Sequence, residues 1–303
     1  MTKRKLKDKL DELNNLQLSG QERIDYLAKI LADKNNFLVA AAAKLIAKEN
    51  IKELTQELKT SFERFLQKPI KTDPSCAAKQ AILEALINLD SRETELYLKA
   101  VRYTQLEPVW GGHEDTAVKL RTLGAYGLVK SNYTGLMNEL AGLLADKEIS
   151  ARVAAISALR NTNAMIAVPL LRHKALIGDP SVRVMSACFD ALLALEANES
   201  RDFVATFLTS EELVIAQSAA LALGEARIEG SLALLTQAYE NTVLSELQQT
   251  LCTAMATLRN DEAIAYLFEI VKKDDFNSAG AINALKMLDD AEILQRLEQI
   301  QIE

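Results

Sequence analysis

Trp110, His113, Glu114 and Asp115 crowd into one stretch, EPVWGGHEDTAVKLR (residues 107–121), together with the only Gly-Gly pair of the chain. An indole can stack on a ligand, an imidazole beside carboxylates can move protons or hold a metal, and Arg121 can bind an anion. The spacing argues against a metal. Adjacent residues do not converge on one ion without a distant fourth group, and the other histidine, His173, lies far along the chain. No GxSxG, P-loop, GxGxxG or HExxH pattern occurs. Cys76, Cys188 and Cys252 form no CxxC pair, show no base that would activate a nucleophile, and read as small buried hydrophobes on second helices. The expectation is therefore no catalytic residue, no metal and no cofactor.

What must position these residues is a repeat. SALRNTNA at 157–164 returns as ATLRNDEA at 256–263, and AILEALINL, TLGAYGLV, SACFDALLAL and SAALALGEA join the same register. Their shared leucines, Leu86, Leu128, Leu159, Leu192, Leu223 and Leu258, are spaced by 42, 31, 33, 31 and 35 residues. A period near 33 with tolerated insertions signifies a solenoid of stacked helix pairs. Abundant Ala and Leu, with aromatics at 5% and few Gly or Pro, favour helix over strand. In the unit ending at Leu192, Gly178 stops the first helix in a left-handed conformation, Asp179 caps the second and Pro180 takes its first position. SGQE at 19–22 has the capping-box pattern. Pairs of small residues, Ala154 with Ala155 and Ala219 with Ala220, let second helices approach closely. About eighteen helices are expected, in eight pairs with an extra helix at each end: a single domain over 1–303, with capping helices at 1–18 and 290–303.

The turns carry a further pattern: an Asp, an aliphatic or small residue three positions on, a base six positions on, then an Ala-rich helix. Asp73 with Lys79, Asp115 with Arg121 and Asp146 with Arg152 meet it, whereas the Asp179 unit has Met185 at the basic position. In this the chain resembles the HEAT-repeat family, in the broad sense that includes the HEAT-like repeats of phycobilin lyases. The resemblance implies an all-α, right-handed α-solenoid in which turn Asp and following Arg form a hydrogen-bonded ladder between layers. A guanidinium suits that role because its five donors can serve two carboxylates at once, and Lys79, lacking the fork, should bridge less well.

With Asp115 and Arg121 assigned to a ladder, EPVWGGHED becomes a long loop between a helix ending near Leu106 and one starting at Asp115, interrupted by Pro108. Trp110 either folds back on the core or projects as a contact. The same register, eleven residues after each turn Asp, places Glu84, Tyr126, Ser157 and Asp190 in one row on the concave face. With Trp110 and His113 they are the candidate binding residues.

Lys and Arg number 35 against 42 Asp and Glu, a net charge of -7, which disfavours nucleic acid. The one basic cluster, TKRKLKDK at 2–9, reads as the solvated face of a helix whose apolar stripe is Leu6, Leu10, Leu13 and Leu16. No signal segment or membrane span is read, and the cysteines suit a reducing compartment, so a cytoplasmic location is expected. The resulting expectation is a non-enzymatic scaffold that binds another protein, through a basic or polar segment of it. The resemblance also admits a bilin lyase. A HEAT-like alkylpurine DNA glycosylase would draw on Trp110, Asp115 and Arg152 but lacks the further aromatics and cationic groove that such chemistry requires.

Overall fold

A computed structural model of the chain describes residues 3–15, 17–273 and 278–302. All six register leucines are buried, five completely and Leu258 to within 6%. Each such side chain contributes about 1.5–3 kcal/mol by leaving water. That burial is needed because helices of this length are marginal alone in water. Stacking supplies the missing partner for each apolar face.

The described chain is all-α apart from one hairpin. It divides into two compact units, Met1–Asn161 and Thr162–Glu303. In the first, α1 (Lys3–Asn14) precedes the pairs α2 (Gly20–Leu31) with α3 (Asn36–Lys48), α4 (Thr55–Phe65) with α6 (Ala77–Asn88), α7 (Thr94–Val101) with α8 (Val118–Lys130), and α9 (Leu136–Leu144) with α10 (Ile149–Arg160). The short α5 (Pro69–Thr72) lies in the second connection. The second helices α3, α6, α8 and α10 pack on one another in sequence. The second unit pairs α11 (Ala164–Ile177) with α12 (Val182–Leu195), α13 (Ala197–Ala205) with α14 (Leu213–Ala226), α15 (Ser231–Asn241) with α16 (Ser245–Leu258), and α17 (Asp261–Lys272) with α18 (Ser278–Lys286). There α12, α14, α16 and α18 form the stacked row, and α19 (Ala291–Ile302) packs on α17 and α18. Among the described residues this makes eight helix pairs, the number the repeat implied.

The duplicated LRN motif is punctuation. After Leu258 ends α16, Arg259 turns left-handed and the Asn260 side chain accepts from Ala263 N at 2.8 Å to start α17. In the other copy the matching Asn161 instead ends α10, donating to Ser157 O at 2.7 Å, and Asn163, two residues on, accepts from Met165 N at 2.9 Å to start α11. On α1, Leu6 and Leu10 are half-buried and Leu13 buried, while Lys7 and Lys9 face water; Leu16 lies outside the described residues.

Several local expectations are corrected. Ser19 precedes α2 but makes no side-chain cap. Gly178 does end α11 at a positive φ of +76, but its ψ of 174 lies outside the left-handed helical region. Ser181, not Asp179, precedes α12, so Pro180 lies outside the helix. Cys76 is buried, but in the 3-10 turn Pro74–Cys76 ahead of α6 rather than on that helix.

Glycines let α7 and α8 approach within the third pair. A Cβ on Gly124 would come 2.5 Å from Val101 N, and one on Gly127 would enter the Tyr97 ring. Tyr97 is fully buried and donates from its hydroxyl to Ser91 O at 2.8 Å. The segment joining these two tightly packed helices is where the sequence concentrates its chemistry.

A candidate interaction hairpin on a polar ladder

EPVWGGHED is not a loop. Residues Leu106–Val109 and Gly112–Asp115 form antiparallel strands β1 and β2, with Leu106 opposite Asp115 and Val109 opposite Gly112. The helices end and begin elsewhere than expected, at Val101 and Val118. Trp110 and Gly111 make the turn, and Gly111 carries φ +87, an angle that favours glycine. Pro108 is tolerated because a two-stranded hairpin has only edge strands. Trp110 does not fold back on the core: its exposure is 104%, and Leu106 and Val109 are exposed below it at 55% and 45%. His113 and Glu114 also face water.

The base of the hairpin is tied down. The Glu107 carboxylate accepts from Ser75 N at 2.6 Å, Gln105 Nε2 at 2.7 Å and Thr116 Oγ1 at 2.7 Å. Burial works to raise its pKa, but these bonds and nearby Lys79 outweigh that and hold it below the ordinary 4.5. Ser75 and Cys76 sit in left-handed conformations at φ 57 and 54, each costing about 1–2 kcal/mol for a residue with a Cβ. Glu107 therefore reaches back to fix a strained turn in the preceding layer. Gln105 Nε2 does the same, donating to Asp73 O at 3.0 Å.

Behind the hairpin lies the ladder. Arg121 Nη1 donates to Asp115 Oδ2 at 2.6 Å and to Tyr103 O at 3.0 Å, and Nη2 donates to Asp146 Oδ1 at 3.1 Å. Its Nε lies 2.8 Å from Asp146 Oδ2 without a hydrogen bond, so that contact is purely coulombic. One guanidinium, 5% exposed, thus links two successive turn carboxylates. Burial opposes its charge, and Asp115 and Asp146 outweigh burial, raising its pKa. Asp115 also accepts from Gln105 N and Ala117 N, which with Arg121 lower its pKa against the effect of burial. Arg152 donates to the carbonyl oxygens of Asp146 and Lys147 at 2.8 and 3.0 Å.

Lys79 pairs within its own turn and reaches the next layer at the Tyr103 ring. Its Nζ meets Asp73 Oδ2 at 2.9 Å, both side chains fully buried, and stands 5.6 Å from the Tyr103 ring centroid. The link from Asp73 to the layer before comes from Asn36 Nδ2 at 3.1 Å, and the link to the layer after from Gln105. Where Met185 replaces the base, Lys174 of the preceding helix pairs with Asp179 Oδ2 at 2.8 Å. Neither substitution is visible in the Asp-plus-six spacing.

Of the proposed row, Glu84, Tyr126 and Ser157 lie on the stacked helices α6, α8 and α10. Glu84 pairs with Lys119 Nζ at 2.6 Å, Tyr126 is 36% exposed, and Ser157 is half-buried. Lys119 therefore offsets the acidity expected there. Asp190 is exposed, on α12 of the second unit.

The three thiols are buried. Burial raises Cys76 to about 11 and Cys188 and Cys252 to about 12, far from the thiolate a nucleophile requires. Among the described residues no helix is long and apolar enough to cross a membrane. No group of three His, Cys, Asp or Glu side chains among them is placed to hold a metal.

No family model matches the chain, and no curated protein matches it. Among solved structures it is similar to the CpcE–CpcF complex of phycocyanin lyase from Nostoc, at TM-score 0.44 and 16% identity, over 91% of this chain and 96% of that one. Human deoxyhypusine hydroxylase in complex with glycerol matches at TM-score 0.33 and 16% identity, over 85% and 91%. An engineered protein matches at TM-score 0.38 and 16% identity, over 98% and 91%. Similarity at this level assigns no activity to the chain.

Proposed function

We propose that the protein is a non-enzymatic scaffold of HEAT-like helix pairs that binds a partner protein, with the tip of the β1–β2 hairpin as its leading contact. The observation that carries this reading is a fully exposed indole on a turn whose base is held by three hydrogen bonds to Glu107. A large aromatic side chain presented on an anchored backbone suits a binding hot spot, because less backbone ordering entropy is lost on contact. The second-helix positions Glu84, Tyr126 and Ser157 extend the contact toward a basic or polar segment of the partner, and Asp190 is the candidate position of the same register within the second unit. His113, beside Trp110 on the hairpin, belongs to the same surface. A reducing cytoplasm suits three unpaired thiols.

The residues that an enzymatic reading would need are engaged otherwise. Asp115 is held by Arg121 and two amides, and Arg152 by turn carbonyls. Trp110 stands about 13 Å from the hairpin base at the rise of a strand. A thiol that carried a bilin would have to leave the core.

Affinity purification of the intact chain from its native host, with Trp110→Ala in parallel, tests the proposal. Loss of a hot-spot indole of about 2 kcal/mol lowers partner recovery roughly 30-fold. Equal recovery with both proteins overturns it, and so does a bilin absorbance band on mixing with pigment, or release of an alkylated base from DNA.

A further inference from the structure

In the second unit α11 has an outer face unlike that of an ordinary surface helix. Its buried side is Ala167, Val168, Leu171, Lys174 and Ala175. The opposite side is also apolar: Met165 is 80% exposed, Leu176 68%, Ile177 64% and Ile166 50%. With Pro169 and His173, both exposed, these residues fall within an arc of about 120° on a helical wheel. The stripe continues past the turn in Val182, 43% exposed at the start of α12. A row of this length facing water marks an interaction site.

The charge around the stripe identifies its occupant. From Thr162 to Phe189 the only carboxylate is Asp179, and Lys174 neutralises it in the interior, with side chains 1% and 10% exposed. Beside that buried pair stand the half-buried Arg172 and the exposed Arg183 and His173. In a chain of net charge -7 this segment is locally basic. Arg172 borders the stripe beside Met165. Its guanidinium is held over the Phe203 ring at 5.1 Å and makes one long hydrogen bond, Nη2 to Glu199 O at 3.3 Å. Its buried Nε has no hydrogen-bond partner. The guanidinium is therefore oriented, with donors to spare for an anion.

We infer that the outer face of α11 docks an acidic amphipathic helix of a partner protein, apolar ridge against the stripe and carboxylates toward Arg172, His173 and Arg183. Apolar residues recurring at three and four positions form the ridges that interlock with another helix, and the 14 residues of α11 span about 21 Å, the length of four partner turns. A second copy of the chain is disfavoured because pairing two such faces sets their cations against each other. A lipid surface is disfavoured because α11 turns its only lysine inward and carries no Trp or Tyr to anchor at an interface. This surface shares no residue with the hairpin, and the inference does not rest on it.

The test uses the intact chain and two labelled 16-residue helical probes, identical in their leucine stripe but with either glutamate or lysine at the remaining positions. Fluorescence polarisation is expected to show the glutamate probe binding at least 10-fold tighter than the lysine probe. Met165→Gln with Leu176→Gln, and separately Arg183→Glu, should each weaken the glutamate probe at least 10-fold, whereas Trp110→Ala should not. Both apolar positions are mostly exposed, so their exchange leaves the core intact. Absence of binding, equal affinity for both probes, or wild-type affinity of the double variant overturns the inference. Retention by phosphatidylserine vesicles without probe binding overturns it as well, as does self-association that the double variant abolishes.

Discussion

Arg121→Ala removes one side chain and exposes the energetics of the ladder. The guanidinium makes hydrogen bonds to Asp115, Asp146 and Tyr103 O from an almost fully buried position. Breaking a buried ion pair by deleting one partner costs about 3–5 kcal/mol, because the surviving charge is left unpaired. Here the lower end applies. Asp115 keeps two amide donors and Asp146 keeps Glu148 N at 2.8 Å, so neither carboxylate is orphaned. About 3 kcal/mol is expected, roughly a 100-fold shift toward opening, with a fall of ~6–12 °C in the melting of the first unit. Arg121→Lys should cost less, about 1–2 kcal/mol, since an ammonium serves one carboxylate but not both. Hydrogen exchange under rising urea reads the effect locally, and protection should fall first in residues 103–117 and 144–152. A loss below about 1 kcal/mol for Arg121→Ala, or equal losses for both variants, would refute the view that one fork joins two layers.

Other outcomes follow from the same contacts. Gly127→Ala drives a methyl into Tyr97 and should cost about 1–3 kcal/mol, whereas Gly142→Ala, with open space around it, should gain about 0.5–1 kcal/mol; thermal melts of both variants check this. Asp115 and Glu107 have folded pKa values below their ordinary 3.8 and 4.5, so the native state binds fewer protons than the unfolded one. Their stabilisation is complete above those values and is lost as pH falls through the lowered ones. Acid titration of the first unit should show this loss, and a flat profile down to pH 2 would contradict it. All three thiols should resist a thiol-specific disulfide reagent in the folded chain and react on unfolding; rapid labelling of Cys76 in native buffer would argue against its burial.

The repeat was legible because burial and spacing coincide: a leucine every 33 residues or so has to meet the next layer, and does. The Asp115–Arg121–Asp146 rung was legible because both partners sit at fixed offsets from a turn. Lys174 was not, because it approaches Asp179 from the preceding helix. Gln105 and Glu107 were missed for a related reason, as neutral and acidic side chains filling a cation's bridging role where Lys79 stays with Asp73. The hairpin hid behind Pro108 and two strands of only four residues each, and its turn uses Trp110 with Gly111 rather than the Gly-Gly pair that drew notice. Sequence spacing could not decide the environment of Trp110, since a single indole packs or projects according to the strands beneath it.

Trp110 is the only tryptophan in the chain, so its fluorescence reports on the hairpin tip alone. Acrylamide quenching of the free protein, repeated on the complex recovered with its partner, is the most direct measurement. The account predicts quenching close to that of a free indole in the unbound chain and strong shielding in the complex. An indole already shielded in the free protein, or equally quenched in both, would contradict it.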